Sequence, residues 1–305
     1  MKKIIRRILN IVGALLVGVI ISCEAFTGAG TKEEPFLINN QADLLALASA
    51  VNSGEEYRGK WFRQERDIDL TGINWEPIGI FGGGHYFYGI YDGNGYALSH
   101  LEIHRKDNAG LFGQLGGTVM NLGIESGHIE GACTGAFSSH AAGSNALILN
   151  CYNKAEVRGG RAGGIADNFN GTIANCWTDA VISGTEGTGG IVSYTGLSII
   201  NCYSTQPLFP LGKALSSSSK RVENINTEDV ATGLNLSAFE RVPGISYHDI
   251  NSWSVNDGKL QMDKHKQKFN LTSLAIANWY FFIPPGLLIV GIYALVLAYS
   301  RKSIH

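Results

Sequence analysis

Cysteine is the first residue whose chemistry needs placing. Cys133, Cys151, Cys176 and Cys202 follow an N-terminal apolar stretch that itself ends at Cys23. In an exported chain these four thiols sit in a compartment that permits disulfides. Three of them, however, hold the same place in a recurring tripeptide: Asn150-Cys151-Tyr152, Asn175-Cys176-Trp177 and Asn201-Cys202-Tyr203, at steps of 25 and 26 residues. A repeated small position is core chemistry, and a free Cys packs as a small hydrophobe. Unbridged core thiols are expected, although the sequence leaves their redox state and the face of the Cys side chains open. No Cys-x-x-Cys pair occurs, so the convergent thiolates that suit zinc are missing.

His100-Leu101-Glu102-Ile103-His104 is superficially like the helical His-Glu-x-x-His zinc motif, but Glu stands one place late and a Gly93-Asn94-Gly95 turn precedes it. On a strand, positions i and i+4 lie about 13 Å apart, too far to share one ion. No metal ligand is expected. Glu156, Asp167, Asp179, Glu186 and Arg158 are the residue types that polysaccharide-cutting solenoids use, yet they do not recur in phase. Acid and base carboxyls must stand roughly 5 to 10 Å apart, which residue spacing on separate coils does not establish; solvated turns are the expectation. Asp92-Gly93-Asn94-Gly95 lacks the spaced carboxylates and final Glu of a calcium loop and reads as a turn. Catalytic residues and cofactors are therefore not assigned. Phe81, Tyr86, Phe87, Tyr88, Tyr91 and Tyr96 crowd one glycine-rich segment. Loop aromatics stack on sugars or anchor protein partners, which makes Tyr86, Tyr88 and Tyr91 the candidate binding residues. The alternative use is to seal the first coil.

These residues need a scaffold, and the repeat supplies it. Ile148, Ile173 and Ile199 each stand two places before the Asn of a tripeptide, and Val119 precedes Asn121 in the same way. Gly110-Leu111-Phe112, Gly135-Ala136-Phe137, Gly164-Ile165-Ala166 and Gly190-Ile191-Val192 form a second series that steps with the first. A period of about 25 residues, rich in Gly and β-branched residues, is the signature of stacked coils. Asn tolerates the left-handed backbone of a tight corner, and copies stacked about 4.8 Å apart can bond amide to amide. The series Asn121, Asn150, Asn175 and Asn201 is thus read as an architectural ladder, with Ile148, Ile173 and Ile199 pointing into the core and Cys151, Cys176 and Cys202 beside them. Ahead of the coils, Gln41 to Val51 has helical character, with Leu44, Leu45, Leu47 and Ala48 on one face and Asn39 or Asn40 as N-cap. Composition agrees: 39 glycines and only 16% charged residues describe a turn-rich, sparsely charged chain, where about 25% charged is typical. A net charge of −2 gives no basic footprint for nucleic acid.

The order of Gly30-Thr31-Lys32-Glu33-Glu34-Pro35-Phe36-Leu37-Ile38, Asp67-Ile68-Asp69-Leu70, Pro77-Ile78-Gly79, Asp92-Gly93-Asn94-Gly95-Tyr96, Gly110-Leu111-Phe112-Gly113 and the Asn-Cys-Tyr repeats resembles bacterial surface proteins with GLUG-motif repeats. Leu234-Asn235 with Trp253, Asp257-Gly258 and Leu260 is similar to the segment that closes such domains. His100 departs from the pattern where Asn or Gly is common, and Asn153 and Gln206 replace the usual repeat ending. The resemblance implies a secreted or surface-attached β-solenoid of a kind found in adhesin-like proteins and beside IgA-cleaving metallopeptidases.

Both ends bear on location. Lys2, Lys3, Arg6 and Arg7 precede an apolar run from Ile8 to Ser22, the pattern of a secretory signal. Ile20-Ile21-Ser22-Cys23 resembles a lipobox, making Cys23 a candidate lipidation site; cleavage near Ala25 or Ala29 is the alternative. Leu274 to Tyr299 carries no formal charge. As a helix it would be roughly 39 Å long, enough to cross a hydrocarbon core of about 30 Å, with Trp279, Tyr280 and Tyr299 near its ends and Arg301-Lys302 as inner anchors. The expected organisation is a signal peptide at 1–25, an N-terminal helix-containing cap at 30–77 and a GLUG-type β-solenoid at 78–213. A linker and closing segment at 214–262, a transmembrane helix at 274–299 and a cytoplasmic tail at 300–305 follow. The fold class is all-β, a short parallel β-solenoid. The function expected is a membrane-anchored surface protein for adhesion, or for glycan or cell-surface partner binding, without catalysis. A glycan-acting enzyme and an envelope spacer are the alternatives.

Overall fold

The computed structural model describes residues 26–205 and 251–264. The expected signal segment with Cys23, the linker up to residue 250 and the 274–299 span lie outside the described residues. Those described form an all-β parallel solenoid of about six turns with one helix. Three parallel sheets of nine, six and five strands wall it. One coil shows the path. Glu156–Gly163 lies in the five-stranded sheet, an arc at Gly164 and Ile165 turns the chain, and Ala166–Ala174 runs in the nine-stranded sheet. Asn175 makes the corner into Trp177–Thr178 of the six-stranded sheet, and the next coil starts at Ile182.

Each coil repeats the last in register. Ile148 pairs with Val119 on one side and Ile173 on the other, and Ile173 pairs with Ile199. All four side chains are buried, each contributing about 1.5–3 kcal/mol of apolar transfer. The glycine series lets coils touch: a Cβ on Gly164 would stand 2.1 Å from the Gly190 carbonyl oxygen, and one on Gly135 would stand 2.4 Å from Ala166 Cα. The corner asparagines take φ of 52° at Asn121, 53° at Asn150, 53° at Asn175 and 52° at Asn201, the left-handed region that Asn tolerates best among residues with a Cβ. Their amides form the expected ladder. Asn121 Nδ2 donates to Asp92 Oδ1 (2.9 Å), Asn150 Nδ2 to Asn121 Oδ1 (2.9 Å), Asn175 Nδ2 to Asn150 Oδ1 (2.5 Å) and Asn201 Nδ2 to Asn175 Oδ1 (2.8 Å). His100, the departure from the repeat, also turns left-handed at φ 54° and bonds Asp69 Oδ1 at 2.8 Å.

The Cys side chains, whose face the sequence left open, point inward. Cys151, Cys176 and Cys202 are buried free thiols in the main core, and Cys133 is a half-buried free thiol. Each ladder thiol donates to the carbonyl two residues before it, Leu149, Ala174 or Ile200, at 3.2 to 3.3 Å. The residue after each Cys therefore faces outward, and a hairpin covers that column. Trp253–Asn256 pairs antiparallel with Lys259–Met262 through Asp257 and Gly258, both at positive φ. Trp253, Leu260 and Met262 pack with Trp177 and Tyr203.

At the N-terminal end the helix spans Gln41–Asn52, with the Asn40 side chain accepting from Asp43 N as N-cap. Leu44, Leu47, Ala48 and Val51 are its buried residues. Leu45, expected on that face, is 36% exposed and Val51 takes the inward place. Parallel stacking begins early: Phe36–Ile38 pairs with Trp61–Gln64, which pairs with Ile90–Asp92. The segment 30–77 thus carries strands of the solenoid as well as the helix.

Candidate functional site

The expected binding aromatics part company in the structure. Tyr91 is fully buried and donates its hydroxyl to Gln64 Oε1 at 2.9 Å, so it leaves the binding set. It alternates inward on Ile90–Asp92, beside Phe112, and burial pushes its phenol far above the usual range. Tyr88 is half-buried, with the Arg58 guanidinium 3.5 Å above its ring. Gly116 lies against that ring, where a Cβ would come within 2.3 Å. Tyr86, also half-buried, stacks 5.8 Å from Tyr88.

The well-exposed aromatics lie elsewhere. Phe81, at the tip of the glycine-rich loop, is 47% exposed and packs 4.3 Å from the His140 ring. Tyr194 is 41% exposed, with the Arg161 guanidinium 4.8 Å from its ring. His140 and Arg161 belong to one group. His140 stands in register with Gln114 and Asn168 on the neighbouring coils, and Asp167 next to Asn168 bonds Arg161 through both of its oxygens, at 3.1 and 2.9 Å. Asp167 also accepts from the Ser193 hydroxyl and is fully buried. The expectation of a solvated Asp167 is thereby corrected: the arc from Gly163 to Ala166 folds it back on Arg161, where a paired carboxylate can be buried at tolerable cost. Glu156, with the same expectation, is only partly exposed and holds His128 Nδ1 at 2.9 Å.

Electrostatics argue against a nucleophile here. Burial and the Asp167 carboxylate push the Cys133 thiol up, and the Arg161 Nη2 donor 3.0 Å away does not reverse this. A thiol kept protonated is a poor nucleophile. Burial also lowers the His140 imidazole below its ordinary value, so the ring is neutral near pH 7. Its Nδ1 is buried without a hydrogen-bond partner among the described residues. The arrangement is a group of flat side chains drawn from several elements: Phe81 from the glycine-rich loop, His140 and Tyr194 from strands of the nine-stranded sheet, and Arg161 from the five-stranded sheet. Such a group can stack on planar or sugar-like faces and donate hydrogen bonds between them.

Comparison with known proteins finds partial similarity to a halomucin and to a membrane protein. Over 189 residues it is 27% identical to "Halomucin" of Haloquadratum walsbyi, covering 57% of this chain and 2% of that protein. Over 117 residues it is 40% identical to a "Putative Gly-rich membrane protein" of Evansella cellulosilytica, covering 34% of this chain and 13% of the relative. The chain therefore spans a small fraction of either relative. No family model matches. Among solved structures it is similar to the crystal structure of "a putative immunoglobulin A1 protease from Bacteroides ovatus", with a TM-score of 0.52 and 19% identity over 78% of this chain and 95% of that one. At that identity the likeness concerns the fold alone. A β-solenoid fold with similarity to a halomucin and a membrane protein fits a surface protein.

Sequence reasoning missed Tyr194 and His140, because each gains its meaning only from the coil beside it. Strand alternation did not mark it: Tyr194 has the parity of the buried Val192, and its outward turn comes with the register shift between the Ala166–Val192 and Asn168–Thr195 pairs. Among the described residues no helix is long and apolar enough to cross a membrane.

Proposed function

We propose that this chain is a membrane-anchored surface β-solenoid of the GLUG-repeat type that binds a glycan or a cell-surface protein without cutting it. The observation that carries the reading is the pairing of each exposed aromatic with a flat polar group, Phe81 with His140 and Tyr194 with Arg161. An aromatic face excludes water from the apolar side of a sugar ring or a partner side chain. The adjoining donors then fix its orientation. The membrane anchor in this reading is the apolar stretch 274–299, and the similarity to surface and membrane proteins supports that location.

The test is binding of the full-length chain to glycan and cell-surface protein arrays, followed by titration against the best ligand. Phe81→Ala and Tyr194→Ala together should weaken binding at least tenfold while leaving the melting temperature within about 2 °C, since both rings are exposed. Unchanged affinity in the double variant would remove this site. Turnover of the bound glycan or peptide, abolished by Asp167→Asn, would replace binding with catalysis.

A further inference from the structure

The outer face of the five-stranded sheet carries a second pattern, independent of the aromatic group. Three consecutive coils contribute Glu102 and His104, then His128 and Glu130, then Glu156 and Arg158. The register puts His128 between Glu102 and Glu156, and Glu130 between His104 and Arg158. Basic and acidic groups thus alternate both along the strands and across them. His104 and a histidine of the next coil are close: the rings of His104 and His128 are 5.4 Å apart.

From this geometry we propose that His104, His128 and Glu130 form a surface site for a late first-row divalent cation such as Zn²⁺ or Cu²⁺. One ligand atom from each residue lies within 4.8 Å of the others. His128 Nε2 is 3.3 Å from Glu130 Oε2 and His104 Nδ1 is 4.0 Å from the same oxygen. Ligands bound at about 2.0–2.2 Å to one tetrahedral ion stand about 3.3 Å apart. The His128–Glu130 pair already has that spacing, and a small rotation of the exposed His104 side chain closes the rest.

The nitrogens turned away from this point are held by other carboxylates. His128 Nδ1 meets Glu156 Oε2 at 2.9 Å, and His104 Nε2 lies 3.5 Å from Glu102 Oε2. Arg158 pins Glu156 in turn. A carboxylate behind each imidazole is the arrangement that fixes the tautomer and orientation of a metal-ligating histidine. Two imidazole nitrogens and one oxygen favour zinc and copper over the harder calcium and magnesium, which take oxygen ligands. Water would complete the coordination of a site this open. An ion there would tie strand Leu101–His104 to strand Gly127–Gly135, so occupancy would also stabilise the stack. The competing arrangement is a charged His128 clamped between Glu130 and Glu156 with no ion.

The experiment titrates the purified full-length chain in detergent with Cu²⁺ under electron paramagnetic resonance, and with Zn²⁺ by calorimetry and thermal melting. One copper per chain with hyperfine splitting from two imidazole nitrogens is expected, together with a rise in melting temperature on adding Zn²⁺. His104→Ala/His128→Ala should lose that signal and the zinc-dependent rise while melting like the parent without metal. Glu156→Gln, a positioning change, should weaken binding about 10- to 100-fold. Equal binding and equal nitrogen splitting in parent and double variant would overturn the site, as would a parent that shows no nitrogen-ligated copper.

Discussion

Replacing Asn150 by Ala should be among the most damaging single changes on the ladder. Its side chain makes four hydrogen bonds to nitrogen and oxygen partners, and a longer one from Nδ2 to Met262 Sδ at 3.8 Å, while fully buried. Nδ2 donates to Asn121 Oδ1 at 2.9 Å and to the Asn251 carbonyl at 3.0 Å, and Oδ1 accepts from Asn175 Nδ2 at 2.5 Å and Trp253 Nε1 at 2.7 Å. Asn121 Oδ1 keeps a second donor in Asn251 N, so it is not orphaned. The Trp253 indole N–H, the Asn175 amide N–H and the Asn251 carbonyl lose the partner that Asn150 gave them, at about 1–3 kcal/mol each. Ala at φ 53° adds about 1 kcal/mol of backbone strain. Relaxation of the hairpin recovers part of this, so a net loss of about 4 kcal/mol is expected. Asn150→Gly removes the backbone component and should be about 1 kcal/mol milder. Asn201→Ala, at the last described corner, breaks the bonds to Asn175 and Tyr203 and none of those that anchor Trp253 and Asn251, and should cost about half as much. Urea unfolding followed by tryptophan fluorescence measures all three, and 4 kcal/mol corresponds to a midpoint shift of about 2 M at a slope of about 2 kcal/mol/M. An Asn150→Ala midpoint within 0.5 M of the parent, or one equal to that of Asn201→Ala, would show that the shared corner and hairpin anchor do not act as described.

Two further expectations concern titrating groups. Burial raises the Cys176 and Cys202 thiols well above the ordinary value, so iodoacetamide at pH 8 should leave both unmodified in the native protein and alkylate them only in denaturant; native labelling within minutes, located by mass spectrometry, would contradict the inward Cys face. For His140, whose folded value burial holds below 6.5, the unfolded state binds more protons as pH falls below 6.5, so the stability it contributes is intact above that pH and declines below it. A nuclear magnetic resonance titration should give a His140 midpoint under 6.5, and His140→Gln should flatten the loss of melting temperature between pH 7 and pH 5; a midpoint above 6.5 would defeat the argument.

The ladder was legible because a period exposes itself. Asn at one corner in three coils, with Ile two places before, fixes turn conformation and inward face together. The positive φ at Asn150, Asn175 and Asn201 and the burial of Ile148, Ile173 and Ile199 follow from those identities. The Cys face was not legible, since a corner interrupts strand alternation. Tyr91 and Asp167 were misread for another reason. Tyr91 bonds Gln64 27 residues away, and Asp167 bonds Ser193 26 residues away as well as Arg161 across the arc of its own coil, so partners distant along the chain or brought close by a turn settle their burial. The His104–Glu130 and His128–Glu156 pairs have the same character, at separations near one coil length.

The covered column narrows where a ligand can bind. A solenoid offers its outward side chains in three sets, one per sheet. In the six-stranded sheet the outward column of Tyr152, Trp177 and Tyr203 is occupied, because Trp253, Leu260 and Met262 pack on it. Lys264 extends the clasp by pairing with Asp67 at 3.0 Å and lying over the Tyr96 ring. The aromatics of the Asn-Cys-Tyr repeat, the most conspicuous surface chemistry in the sequence, therefore serve the protein's own closure and are not available to a partner. Among the described residues, the flat group from Phe81 to Tyr194 and the histidine–carboxylate checkerboard lie away from that covered column. Neither depends on the repeat, which is why each can carry a specificity of its own while the coils beneath keep one architecture.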